Sequence, residues 1–100
     1  MRPIHVARLD KARPVLVLTR ELVRPHLTSV TVAPITTTVR GLSTEVALGP
    51  ANGLDHECVV SCDNLQTVPA SALGRLVGYL LPDQERALAR ALVLAFDLDA

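Results

Sequence analysis

Apolar positions recur along the chain in three ways. Pro3–Leu9 alternates, with Ile4, Val6 and Leu9 apolar and His5 and Arg8 between them, which predicts a short strand. Ser29–Ile35 alternates through Val30, Val32 and Ile35, and Ser43–Leu48 through Val46 and Leu48. Pro14–Thr19 is a continuous run, Val15-Leu16-Val17-Leu18, bounded by Pro14 and Arg20. That pattern predicts a buried strand. Glu57–Asp63, built on Cys58, Val59, Val60 and Cys62, reads the same way, and Arg75–Leu81 supplies a last strand. Pro34 has no N–H to give a ladder, so it is expected at a strand end or an edge.

Breakers separate these runs. Asp10–Arg13 is a tight connection, and Glu21–Thr28 contains Pro25 and reads as a loop with one helical turn. Thr36–Leu42 is a polar loop, and Gly49–Gly53 is a turn cluster. Asn64–Pro69 leaves the preceding strand, and Ala70–Leu73 forms a helical turn stopped by Gly74. The pattern then changes period. Pro82 suits the first position of a helix, where its missing N–H costs nothing. Asp83 and Glu85 put negative charge in the first turn, which favours the helix dipole. Leu88, Ala91, Leu92, Ala95 and Phe96 then make one apolar stripe. Short strands followed by one helix predict a mainly β fold, a small twisted barrel with a C-terminal helix against it. Residues 1–100 are expected to form one domain.

Composition narrows the function. The 49% apolar and 20% charged content fits a globular chain rather than a disordered one. No apolar run approaches the roughly 20 residues of a membrane span, and the N-terminus has no apolar signal core, so no membrane partner and a cytoplasmic location are expected. Only Tyr79 and Phe96 are aromatic, which argues against base-stacking platforms and proline-rich-peptide grooves. The formal charge of zero conceals an asymmetry. Residues 1–40 carry seven bases and two acids, and residues 41–100 carry three bases and eight acids. Nine of the ten bases are arginine, which suits a polyanion or an acidic peptide as partner.

Cys58 and Cys62 would lie about 13 Å apart on a strand, too far for one zinc ion or one disulfide, so inert buried thiols are expected. His5, His26 and His56 have no ligand spacing among them, and no cofactor motif is present. No metal and no cofactor are expected.

Four blocks carry more weight together than singly. They are Arg13-Pro14-Val15-Leu16-Val17, Ala33-Pro34-Ile35-Thr36, Val59 to Val68, and Leu73-Gly74-Arg75-Leu76-Val77-Gly78-Tyr79-Leu80. In this order and spacing they resemble the MazF (PemK/Kid) family of toxin endoribonucleases, mycobacterial members above all. The resemblance implies an SH3-like barrel of the CcdB/PemK type, working as a homodimer. It implies metal-independent, sequence-specific cleavage of single-stranded messenger, ribosomal or transfer RNA. It also implies a MazE-type antitoxin whose tail occupies the RNA site. Carried over by position, the catalytic arginine falls on Arg13 and the catalytic threonine on Thr36. Lys11, Asp63, Asn64, Gln66, Thr67 and His26 are the substrate-binding or auxiliary candidates. The chain departs from the family in two places. The long first loop of relatives shrinks to Asp10-Lys11-Ala12, and Asn64 and Gln66 stand where relatives often have Gln and Arg.

Cutting RNA without metal needs a base for the 2′-OH, a cation for the phosphorane and an acid for the leaving 5′-oxygen. Arg13 suits the second role through its planar fork, and Thr36 can donate to the same oxygens. Guanidinium ionises above about 12, so Asp63 or His26 is the more ordinary proton acceptor. Two other classes stay open: a CcdB-like gyrase poison, which shares the barrel fold but needs no Arg13/Thr36 pair, and a non-catalytic homologue that only binds the antitoxin.

Overall fold

The computed structural model describes residues 1–99. Seven strands are present: β1 (Pro3–Arg8), β2 (Ala12–Val17), β3 (Ser29–Thr36), β4 (Glu45–Leu48), β5 (Cys58–Ser61), β6 (Gln66–Pro69) and β7 (Leu73–Tyr79). One helix, α1 (Pro82–Ala95), follows them. The strands run in the order β4-β5-β3-β2-β1-β7, with β6 also beside β3. The sheet curls into a mainly β half-barrel that carries the C-terminal helix, as the pattern predicts.

β2 lies at the centre, and its unbroken apolar run is explained by burial on both faces. Leu16 points into a core with Ile4, Ala33, Val60 and Leu88. Val15 and Val17 point the other way, into a second core with Ala7, Val30, Val32 and Val68. All three β2 residues are fully buried. The helix contributes Leu88 and Ala91 to the first core. Arg2 fastens α1 to the sheet, donating from Nε and Nη2 to the Glu85 carboxylate at 2.9–3.1 Å.

Three details depart from the sequence pattern. Gln66–Pro69 is a strand and not a departure from one: it pairs antiparallel with β3, Val68 opposite Val30 and Gln66 opposite Val32. Its only buried side chain is Val68, so four residues give too few apolar positions for a period to register. Pro34 lies inside β3, buried, at neither its end nor a free edge. β3 pairs with β6 up to Val32 and with β5 from Ile35, and Pro34 falls at that changeover, where a missing donor costs least. Phe96 leaves the helical stripe: α1 ends at Ala95, and the Phe96 ring is 55% exposed.

The turn between β4 and β5 is built on one buried amide. Asn52 is 1% exposed and closes a short 3-10 turn, Pro50–Asn52. Its Nδ2 donates to the Tyr79 carbonyl at 2.9 Å and to Gln84 Oε1 at 2.6 Å, and its Oδ1 accepts from the Gly49 N–H at 3.1 Å. Gln84 Oε1 also accepts the Leu81 N–H, so the same side chain caps α1. Turn, last strand and helix therefore share one satisfied polar knot.

Candidate active site

Arg13 stands near the start of β2 and Thr36 ends β3. β2 and β3 pair Val15 with Pro34 and Leu16 with Ala33. Continuing that register by two residues puts Arg13 opposite Thr36, on one face of the sheet. Two hollows meet at this pair. The first, about 400 Å³, is walled by Lys11, Thr37, Asp55, His56 and Arg75. The second, about 710 Å³, is walled by Thr38, Arg40, Asp63, Asn64 and Gln66. Arg13 and Thr36 line both.

Both side chains keep hydrogen-bonding capacity for a ligand. Arg13 donates from Nη2 to the Asp10 carboxylate at 3.1 and 3.3 Å, and its buried Nε has no partner. The Lys11 backbone N–H and then the Arg13 charge hold the Asp10 carboxyl below its usual range, so it stays ionised and steadies the guanidinium. Thr36 Oγ1 accepts the Thr38 N–H at 3.1 Å. Its own hydrogen is left to donate outward.

The other candidates separate. Lys11 joins the first hollow, and Asp63, Asn64 and Gln66 join the second. Asp63 accepts from Thr44 Oγ1, and Asn64 Nδ2 donates to Ser61 Oγ at 2.8 Å. Thr67 lies opposite Thr31 in the β3–β6 ladder, the two hydroxyls 3.5 Å apart, and lines neither hollow. His26 closes the 3-10 turn Arg24–His26 and also lines neither. Sequence reasoning set His56 aside for want of ligand spacing and gave Arg75 no role. The only signal for His56 was its place three residues after the Gly49–Gly53 turn, and Arg75 lay inside a family block without drawing notice.

The basic residues of the first forty positions do not line one hollow. Lys11, Arg13 and Arg40 reach the paired hollows. Arg2, Arg20 and Arg24 line a third hollow beside Met1 and Pro82, where Arg2 is held by Glu85 and Arg24 by Glu21.

Cys58 and Cys62 are free and buried. Burial raises the Cys58 thiol, helped by Glu57; burial and then Asp63 push Cys62 up from 9.0 to about 11. The folded chain thus holds the Cys62 proton where the unfolded chain loses it, so this contribution to stability fades as pH climbs from 9.0 to about 11. Neither thiol should react with an aromatic disulfide at pH 8 on the timescale that suffices for the denatured chain. Rapid native-state labelling of Cys62 would contradict its burial. Among the described residues, no group of three or more His, Cys, Asp or Glu could hold a metal ion. Nor, among them, is any helix long and apolar enough to cross a membrane.

A half-barrel with an arginine and a hydroxyl side by side at the meeting of two polar hollows suits a phosphodiester-binding protein. The chain belongs to the PemK-like, MazF-like toxins of type II toxin–antitoxin systems, whose family model matches residues 4–96. It is 71% identical over 99 residues to endoribonuclease MazF3 of Mycobacterium tuberculosis, covering 99% of this chain and 96% of that protein. The structure of M. tuberculosis toxin MazF-mt6 superposes with a TM-score of 0.97 at 70% identity, covering 99% of this chain and all of that one. A mycobacterial endoribonuclease in complex with its cognate antitoxin superposes with a TM-score of 0.87 at 28% identity, over 98% of this chain and 94% of that one.

Proposed function

We propose that the paired hollows are the cleavage site of an endoribonuclease toxin, with the scissile phosphate seated between Arg13 and Thr36. The observation that carries this is the β2–β3 register, which sets a guanidinium with an unpartnered buried Nε beside a hydroxyl with a free hydrogen. A phosphorane formed by 2′-OH attack carries charge on its equatorial oxygens. Arg13 meets that charge through its fork and Thr36 through its hydroxyl. The 2′-oxygen bonds to phosphorus, the bond to the 5′-oxygen breaks, and the products are a 2′,3′-cyclic phosphate and a 5′-hydroxyl. The substrate is single-stranded RNA, because the attacking hydroxyl must swing into line behind the leaving oxygen. Lys11 and Arg75 in one hollow and Arg40 in the other suit the flanking phosphates. Asn64 and Gln66 present donors and acceptors to base edges. The names of the relatives, endoribonucleases in M. tuberculosis, support the same reading.

The working form is a homodimer, which brings two sets of cationic hollows together for one strand. The second partner is a cognate antitoxin of the MazE type, whose acidic tail neutralises the same side chains and so competes with RNA. The compartment is the cytoplasm.

The decisive measurement is cleavage of an oligonucleotide with one deoxyribose placed 5′ of the cut, run in EDTA. The all-ribose strand should be cut in EDTA and the substituted strand left intact. Cutting of the deoxyribose strand, or a requirement for added Mg²⁺, would refute the mechanism. Intact RNA together with inhibited gyrase would identify a gyrase poison instead.

A further inference from the structure

The reaction needs a proton acceptor for the 2′-OH, and of the two groups first considered for it only Asp63 lines the paired hollows. His26 lies outside both hollows. Asp63 is engaged by Thr44 in the second hollow. Arg13, Lys11 and Arg75 are donors with no lone pair to offer. Cys58 keeps its proton, since burial raises its thiol. Asp55 and His56 remain in the first hollow, both on exposed loop positions that substrate can reach. An imidazole is a stronger base than a carboxylate. An imidazole ordinarily changes charge between about pH 5 and 8, where proton transfer works best.

The loop that carries His56 is held at both ends. Gly53 adopts φ +86°, and a Cβ there would lie 2.3 Å from the Val77 carbonyl oxygen. On the facing strand, a Cβ at Gly78 would lie 2.0 Å from the Asn52 carbonyl oxygen. The two backbones therefore touch where both residues lack side chains. Beyond His56, the Glu57 carboxylate lies over Gly49, closer than a Cβ there would tolerate. The buried Asn52–Gln84 amide pair anchors the whole turn. Such bracing suits a residue that must meet a substrate atom in a fixed place.

Resting on the cleavage reaction proposed above, we infer that His56 is the catalytic base, taking the 2′-OH proton onto a ring nitrogen while Arg13 and Thr36 hold the phosphate. The 2′-oxygen then bonds to phosphorus, the P–O5′ bond breaks, and the departing oxygen takes its proton from water. The charged groups that share the hollow with His56 are Lys11 from the first loop, Arg13 from β2, Arg75 from β7 and Asp55 from its own loop, while Glu57 turns its carboxylate to Gly49.

Single-turnover cleavage of an RNA oligonucleotide, followed from pH 5 to 9, tests this. The parental rate should rise with pH to a plateau. His56→Gln should cut about 10²–10⁴-fold more slowly on the plateau and lose the acidic limb. Added imidazole should raise the rate of His56→Ala. A substrate with sulfur as the leaving atom needs no acid, and His56→Gln should remain slow on it. Equal rates for parent and variant on the sulfur substrate would overturn the base role in favour of an acid. A slower variant that keeps the acidic limb and ignores imidazole would reduce His56 to a structural part. Arg13→Ala separates the two readings. If it loses activity while His56→Gln does not, only this inference fails; if it keeps parental activity, the cleavage site itself is misplaced.

Discussion

Arg13→Ala and Thr36→Ala are each expected to cut RNA about 10²–10³-fold more slowly than the parent, the usual cost of removing one donor aimed at transition-state charge. Neither change should unfold the chain. Arg13 is only partly buried and its one ion pair, with Asp10, is exposed and screened, so losing it costs the fold little. Arg13→Lys discriminates further. A lysine keeps the charge but not the fork, so it should recover only a small part of the loss. The double variant should lose less than the product of the single losses, because both side chains serve one phosphate. Product formation in single-turnover assays, with thermal melts alongside, decides the matter. Parental rates in both single variants would show that the paired hollows are not where RNA is cut.

Much of this arrangement was legible in the sequence, for identifiable reasons. β2 was legible because three consecutive apolar residues buried on two faces leave an unbroken run. Arg13 and Thr36 could be named as candidates because they sit in short blocks with prolines at fixed places, and the β2–β3 register sets them opposite each other. β6 was not, since one buried valine in four residues has no period. His56 and Arg75 were not, since what brings them to the hollow is contact between distant segments. Gly53 meets Gly78 across twenty-five positions of chain, and Asn52 meets Gln84 across thirty-two. A glycine in a turn cluster and a glycine in a strand each look ordinary alone. Only the fold shows that they face each other. His26 stands in the loop after Arg24, and that loop lies by the third hollow and not by the paired ones.

Gly78→Ala is expected to be among the most damaging conservative changes in the chain. Its new Cβ would fall 2.0 Å from the Asn52 carbonyl oxygen and 2.8 Å from the carbonyl carbon, both backbone atoms with no rotamer to yield. Relief requires β7 and the turn to part. Forced separation of this kind typically costs about 1–3 kcal/mol, occasionally more. In a domain of this size that lowers Tm by roughly 4–8 °C for each kcal/mol. Parting the two backbones also strains the Asn52 bonds to Tyr79 and Gln84, so the upper part of the range is expected. Gly41→Ala is the comparison. Gly41 also has a positive φ, +74°, but nothing lies within 4 Å of its Cβ position. It should lose only the conformational cost, about 1–2 kcal/mol. Thermal or urea unfolding of the two variants measures the difference. Gly78→Ala should also lose cleavage activity at temperatures where it remains folded, because the strand it displaces carries Arg75 and braces the His56 loop. A Gly78→Ala variant as stable as Gly41→Ala, or folded and fully active, would mean that the glycine contact neither supports the sheet nor sets the wall of the first hollow.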